Sequence, residues 1–62
     1  MLRLADAMAS LPEPQREALT LHHLEHCSLE EAGRRLGRSP AAVAGLIKRA
    51  LRALRLRLEE DA

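Results

Sequence analysis

Two groups of residues in this 62-residue sequence could do chemistry. The first is the run His22-His23-Leu24-Glu25-His26-Cys27, whose imidazole and thiol groups are zinc-ligand types. On one continuous helix, His22 and His26 would share a face at i, i+4, and His23 and Cys27 would share another about 100° away. Only two ligands converge from either pair, whereas structural zinc takes four, and the glutamate stands in the wrong place for a zinc-protease helix. No metal site is expected. The plainer reading turns His23 and Cys27 toward a core and leaves His22 and His26 at the surface.

The second group is cationic. Arg34, Arg35, Arg38, Lys48, Arg49, Arg52, Arg55 and Arg57 stand between residues 32 and 58 with no acid among them, a net +8. Residues 1–31 carry Arg3 and Arg16 against six carboxylates, a net −4, and Glu59, Glu60 and Asp61 subtract three more, so the overall charge of +1 conceals the sorting. Segregation of this kind is the footprint of a face that binds a polyanion, nucleic acid first, with an acidic protein surface as the alternative.

Catalysis has no support in the residues. Ser10, Ser28, Ser39 and Thr20 read as caps, turn residues or helix surface, and so short a chain offers no pocket to shelter a transition state. Neither an enzyme, a cofactor nor a small-molecule substrate is expected. With 0% aromatic and 47% hydrophobic residues, the core must be aliphatic, which suits packed helices. Cys27 is alone, so there is no internal disulfide, in keeping with a reducing compartment. No run reaches the roughly 18 apolar residues of a membrane span, and Arg3 and Asp6 spoil the opening residues as a signal peptide. These points predict a soluble, cytoplasmic protein without membrane contact.

The elements that must position the cations follow from spacing and punctuation. Leu2, Leu4, Ala5, Met8 and Ala9 fall at helical spacing, until Ser10-Leu11-Pro12-Glu13-Pro14 interrupts them. A second helix starts at Pro12 or Glu13, with Ser10 or Leu11 near its cap, and runs to about His26. Ser28 and Glu31 form a capping box that opens a third helix, with Leu29, Ala32, Gly33 and Leu36 inward and Gly37 as its stop. Ser39 caps and Pro40 opens a fourth helix reaching about Glu59, with Val43, Ile47, Ala50, Leu51, Leu54 and Leu58 as its apolar stripe. Two helices joined by a three-residue turn containing glycine match a helix-turn-helix, with Gly33 at the close crossing and Val43 filling the angle. The expected architecture is all-α: a small domain of about four helices containing a helix-turn-helix, winged-helix-like but with no wing. Residues 1–62 would form one domain, 1–10 an N-terminal helix or linker and 11–58 the helix-turn-helix domain.

From Leu11 to about Arg55 the sequence resembles region 4 of bacterial RNA polymerase sigma factors, most closely the extracytoplasmic-function type. The resemblance is carried by Leu11-Pro12, Gln15-Arg16-Glu17, Leu24-Glu25, Ser28, Glu31, Leu36-Gly37, Ser39, Val43, Arg49-Ala50 and Leu54. The output domain of two-component response regulators has a similar motif but usually opens differently. The resemblance implies a promoter-recognition module that binds the minus-35 element through its fourth helix and contacts the flap of the polymerase β subunit. An anti-sigma factor is a further partner it implies. It also implies that the chain is the carboxyl-terminal part of a longer protein.

The departures from that family bear on the DNA face. Members commonly carry Thr, Lys, Ser and Arg where this sequence has Ala42, Ala44, Gly45 and Leu46, and alanine where it has Gly33. No residue from Ala41 to Ile47 can place a hydrogen bond on a base edge. Alanine methyls can still meet a thymine methyl, and Gly45 permits close backbone approach. The expectation is therefore binding dominated by phosphate contacts from the helix start after Ser39 and from Arg34, Arg38, Lys48 and Arg49, with Ala41, Ala42, Ala44 and Gly45 against the groove. The competing reading is a protein-interaction or dimerisation module of the same fold, because Ile47, Leu51, Leu54 and Leu58 step by four, three and four. That surplus leucine either buries against the first helix, through Leu2, Leu4 and Met8, or meets a partner, and Leu46 suits core and contact surface equally.

Overall fold

The computed structural model describes residues 3–61, and the Leu2 expected in the first helix lies outside them. Helix α1 spans Leu4–Ala9, α2 spans Glu13–Leu19 and runs directly into a π-helical turn at Thr20–Leu24, α3 spans Leu29–Leu36 and α4 spans Pro40–Asp61. No strand occurs among the described residues. At about 1.5 Å per residue, the 22 residues of α4 reach about 33 Å, nearly the full 36 Å length of the molecule. The other helices all pack onto one side of it.

Small side chains build the core. Ala7, Leu11, Ala18, Leu19, Cys27, Ala32, Val43, Leu46, Ile47, Ala50 and Leu54 are buried, and Val43 is the largest side chain withdrawn fully from solvent. Short residues let the helix axes come close, which compensates for the missing aromatics. Along α4 the inward stripe is Val43, Leu46, Ile47, Ala50 and Leu54, the i, i+3, i+4, i+7 pattern of a core-facing helix. Leu46 is thus core. Leu51 and Leu58, which the sequence placed in the stripe, are 46% and 43% exposed.

Most caps stand where the sequence puts them. The Ser28 hydroxyl accepts the Glu31 amide at 3.1 Å, and the Ser39 hydroxyl accepts the Ala42 amide at 3.1 Å. The box at Ser28 closes differently from expectation, since the Glu31 carboxylate takes the Ser28 hydroxyl at 3.3 Å rather than a backbone amide. At the start of α2 the cap position is Pro12, without a side-chain bond, and the Ser10 hydroxyl instead donates to the Ala7 carbonyl at 2.6 Å, closing α1.

The second helix does not continue to His26. Glu25 donates to the Thr20 carbonyl at 3.0 Å, an i→i+5 bond that admits one extra residue per turn and shifts the phase of everything after it. His26 then takes a left-handed conformation, φ 59°, and the Cys27 amide reaches back to the Leu21 carbonyl at 2.9 Å. His23 is consequently exposed and not in the core, while His22 is half-buried and not on the open surface, its Nδ1 2.8 Å from the Cys27 carbonyl oxygen. Cys27 is buried as expected.

Between α3 and α4, Gly37 adopts φ 68°, the left-handed stop that glycine takes without steric cost. Gly33 serves this turn and not a crossing with the body of α4, because a Cβ built on it would lie 2.5 Å from the Arg38 carbonyl oxygen. Gly45 is the opposite case, with no neighbour within 4 Å of such a Cβ. The same substitution therefore acts with opposite sign at two helical glycines. Gly33→Ala is expected to lose about 1–3 kcal/mol by pushing on backbone, and Gly45→Ala to gain about 0.5–1 kcal/mol from helix propensity. Urea denaturation of both variants checks this; a Gly33→Ala as stable as the parent would refute the tight turn.

Candidate nucleic-acid interface

With about 100° per residue, the side of α4 opposite its buried stripe carries Ala41, Gly45, Lys48 and Arg52 in one line. Ala44 and Arg55 flank that line on one side, Ala42 and Arg49 on the other. Ala41, Ala42, Ala44, Lys48 and Arg49 are exposed and Gly45 is half-buried. The outer face is thus methyl groups and bare backbone for two turns, then a cluster of cations. Leu46 is buried on the inner stripe and leaves the first two turns of this face free of large apolar groups, while Leu51 and Leu56, both 46% exposed, stand among Lys48, Arg52 and Arg55 further along.

The turn and α3 add charge beside the start of α4. Arg38 lies in the turn, its amide donating to the Gly33 carbonyl at 2.9 Å, and Arg34 and Arg35 stand in the last turn of α3. Arg34 and Arg38 are exposed. Among the described residues, the structure gives no ion pair to Arg34, Arg38, Lys48 or Arg49. Arg35 differs, since its Nη1 approaches the Glu25 carboxylate at 3.6 Å. That pair is open to solvent and contributes at most about 1 kcal/mol. Lys48 and Arg49 thus lie on the outer side of α4, with Arg34 and Arg38 at the end of α3 and in the turn before it, and none of the four is given an ion pair among the described residues.

The helix start offers less than a helix N-terminus usually does. Pro40 has no N–H, the Ser39 hydroxyl takes the Ala42 amide, and the Ser39 carbonyl takes the Val43 amide at 3.0 Å. Only the Ala41 amide of this first turn is without a partner among the described residues. An anion here would meet one amide and the neighbouring Arg38, and Ser39 is committed to its cap.

The run of histidines does not assemble a site. With helical structure ending at Leu24 and His26 left-handed, the i, i+4 pairings are lost, and no group of three or more potential ligands gathers among the described residues. No helix among them is long and apolar enough to cross a membrane.

An all-helical body whose third and fourth helices are joined by a three-residue glycine turn, with cations ranged along the outer side of the fourth, is a helix-turn-helix domain. The sequence pattern of the family described as Sigma-70, region 4 matches residues 1–54, and the chain belongs to that family. It is therefore a DNA-binding module of the sigma-factor type, concerned with transcription initiation. The family is a non-catalytic one and implies interaction with promoter DNA and RNA polymerase. No curated protein and no solved structure matches the chain significantly.

The Ser39 cap holds the start of the helix on which these residues sit. Ser39→Ala should cost about 1 kcal/mol of stability, the usual value of a lost N-cap, measured by urea denaturation. A variant as stable as the parent would show that the cap is not needed to start α4.

Proposed function

We propose that this domain recognises the minus-35 element of a promoter with the first turns of α4 in the major groove. Most of the affinity comes from phosphate contacts by Arg34, Arg38, Lys48, Arg49 and the Ala41 amide. The observation that carries this reading is the outer face of α4: two exposed turns without a polar reader, preceded in the chain by Arg34 and Arg38 and followed by Lys48 and Arg49, none of them given an ion pair among the described residues. Phosphate contacts fix register and supply affinity without reading sequence, which matches what these residue types can do. Arg52, Arg55 and Arg57 stand further from the groove entry and contribute less.

The polymerase contact goes to a different surface. Leu4, Met8, Leu24 and Leu51 border an apolar groove between α1, the π-helical turn and α4, with Leu4 and Leu24 more than 60% exposed. On α4 this groove opens about 100° away from the cationic line, so one helix can serve DNA and a protein together. We assign the flap of the polymerase β subunit to it, and an anti-sigma factor would compete there. The leucines left over from the core support this use: α1 packs on α4 with Ala7 buried and leaves Leu51 and Leu58 open.

Two measurements test the reading. In anisotropy titrations against promoter duplex, phosphate contacts by the four cations give a slope of log K against log salt of about −3.6, and Arg38→Ala or Arg49→Ala each reduces it by about one. A slope near zero would contradict the phosphate contacts. Leu24→Glu should leave DNA binding unchanged while abolishing capture of the polymerase flap; equal loss of both would mean that the groove belongs to the DNA face.

A further inference from the structure

The face that α4 presents carries a recognition chemistry of its own. From Pro40 to Ile47 no side chain can donate or accept a hydrogen bond, and the nearest hydroxyl, Ser39, is held by the Ala42 amide at 3.1 Å. What remains outward is three methyl groups, on Ala41, Ala42 and Ala44, around the bare Cα of Gly45, beside which a Cβ would find only open space. A helix with ordinary side chains is about 10–12 Å across and fills a major groove about 12 Å wide. Stripped to methyl and hydrogen on its outer side, α4 is slimmer by several ångströms there and can seat its backbone nearer the base edges. The group on that floor which an apolar surface recognises is the C5-methyl of thymine, since every other distinguishing feature is a donor or acceptor that this face would leave desolvated and unpaired.

We infer that the first two turns of α4 read thymine methyl groups. Ala41, Ala42, Ala44 and Gly45 are the specificity-determining residues, and the target is a run with successive thymines rather than one marked by guanine. This rests on the promoter-binding reading above. The cations around the face complete the division of labour: Arg34, Arg38, Lys48 and Arg49 hold the backbone on either side while the methyl surface excludes water from the bases between. Discrimination then comes from many small apolar contacts and not from a bidentate pair, so no single base dominates.

The test begins with selection of duplexes from a random pool by this 62-residue chain at low salt. The selected duplex is then remade with deoxyuridine in place of one thymidine at a time, which removes the methyl group and leaves base pairing intact. Successive thymines should be enriched. Each replacement under the helix should weaken binding about fourfold, the transfer value of one methyl group, with no change in salt slope. Placing 5-methylcytosine for cytosine at a neighbouring step should strengthen it. A selected duplex whose affinity ignores every deoxyuridine would overturn methyl readout and leave shape or phosphate contact as the source of preference. Retention of no duplex at all would remove the DNA-binding reading itself, and this inference with it.

Discussion

The absent side chain of Gly33 sets the geometry on which the helix-turn-helix depends. The Gly33 carbonyl receives the Arg38 amide at 2.9 Å, while its bare Cα faces the Arg38 carbonyl at a distance where a Cβ would clash. With Gly37 left-handed between them, the chain reverses in three residues and α4 leaves the turn at one angle to α3. Val43 then fills the corner completely and holds that angle. The tightness of this corner fixes how Arg34 at the end of α3 and Arg38 in the turn stand relative to the start of α4.

A short chain without aromatics must make its core from area it can ill spare. Alanines at 7, 18, 32 and 50 are wholly buried, so the helices approach closely, and the larger Leu11, Leu19, Leu46, Ile47 and Leu54 close the edges of the contact. The inward turn of Leu46 shows how this core and the DNA face constrain each other. A polar reader at that position would point toward packed leucines, so hydrophobic content and loss of base readout are one choice here. The exposed Leu4, Leu24 and Leu51, by contrast, border the groove that α1, the π-helical turn and α4 leave, the surface proposed for the polymerase contact.

The sequence made the helix-turn-helix legible because its signals are local. Ser28, Gly37, Ser39 and Pro40 each act through the backbone of their own neighbours, so type and position suffice to place them. The π-helical turn escaped for the opposite reason. A turn of i→i+5 bonds inserts one residue without any composition of its own. That inserted residue turned His23 outward and His22 inward, reversing what unbroken helical phase implied. Leu51 misled similarly: its spacing fits a heptad seam, but the true stripe centres on Val43 and Ala50, one position round. The cationic side of the candidate interface was legible as a charge run; that the helix start has only one unpartnered amide was not, because it depends on where two Ser39 oxygens go.

Charge along α4 gives the helix a direction relative to a polyanion. Its first turns carry no charge, its middle carries Lys48, Arg49, Arg52 and Arg55, and its end carries Glu59, Glu60 and Asp61. Carboxylates in the last turn oppose the helix dipole, whose negative end they share, so local helix stability does not explain them. Repulsion from phosphate does give them a consequence: with the N-terminal end in a groove, the acids lie about 30 Å away along the axis, well beyond the roughly 8 Å screening length of physiological salt. With the helix reversed, the same acids would meet the phosphates directly. On the proposed reading the neutral start enters, the cations anchor on the rim and the acidic end is held off, so the order of charges favours that end of α4 toward DNA.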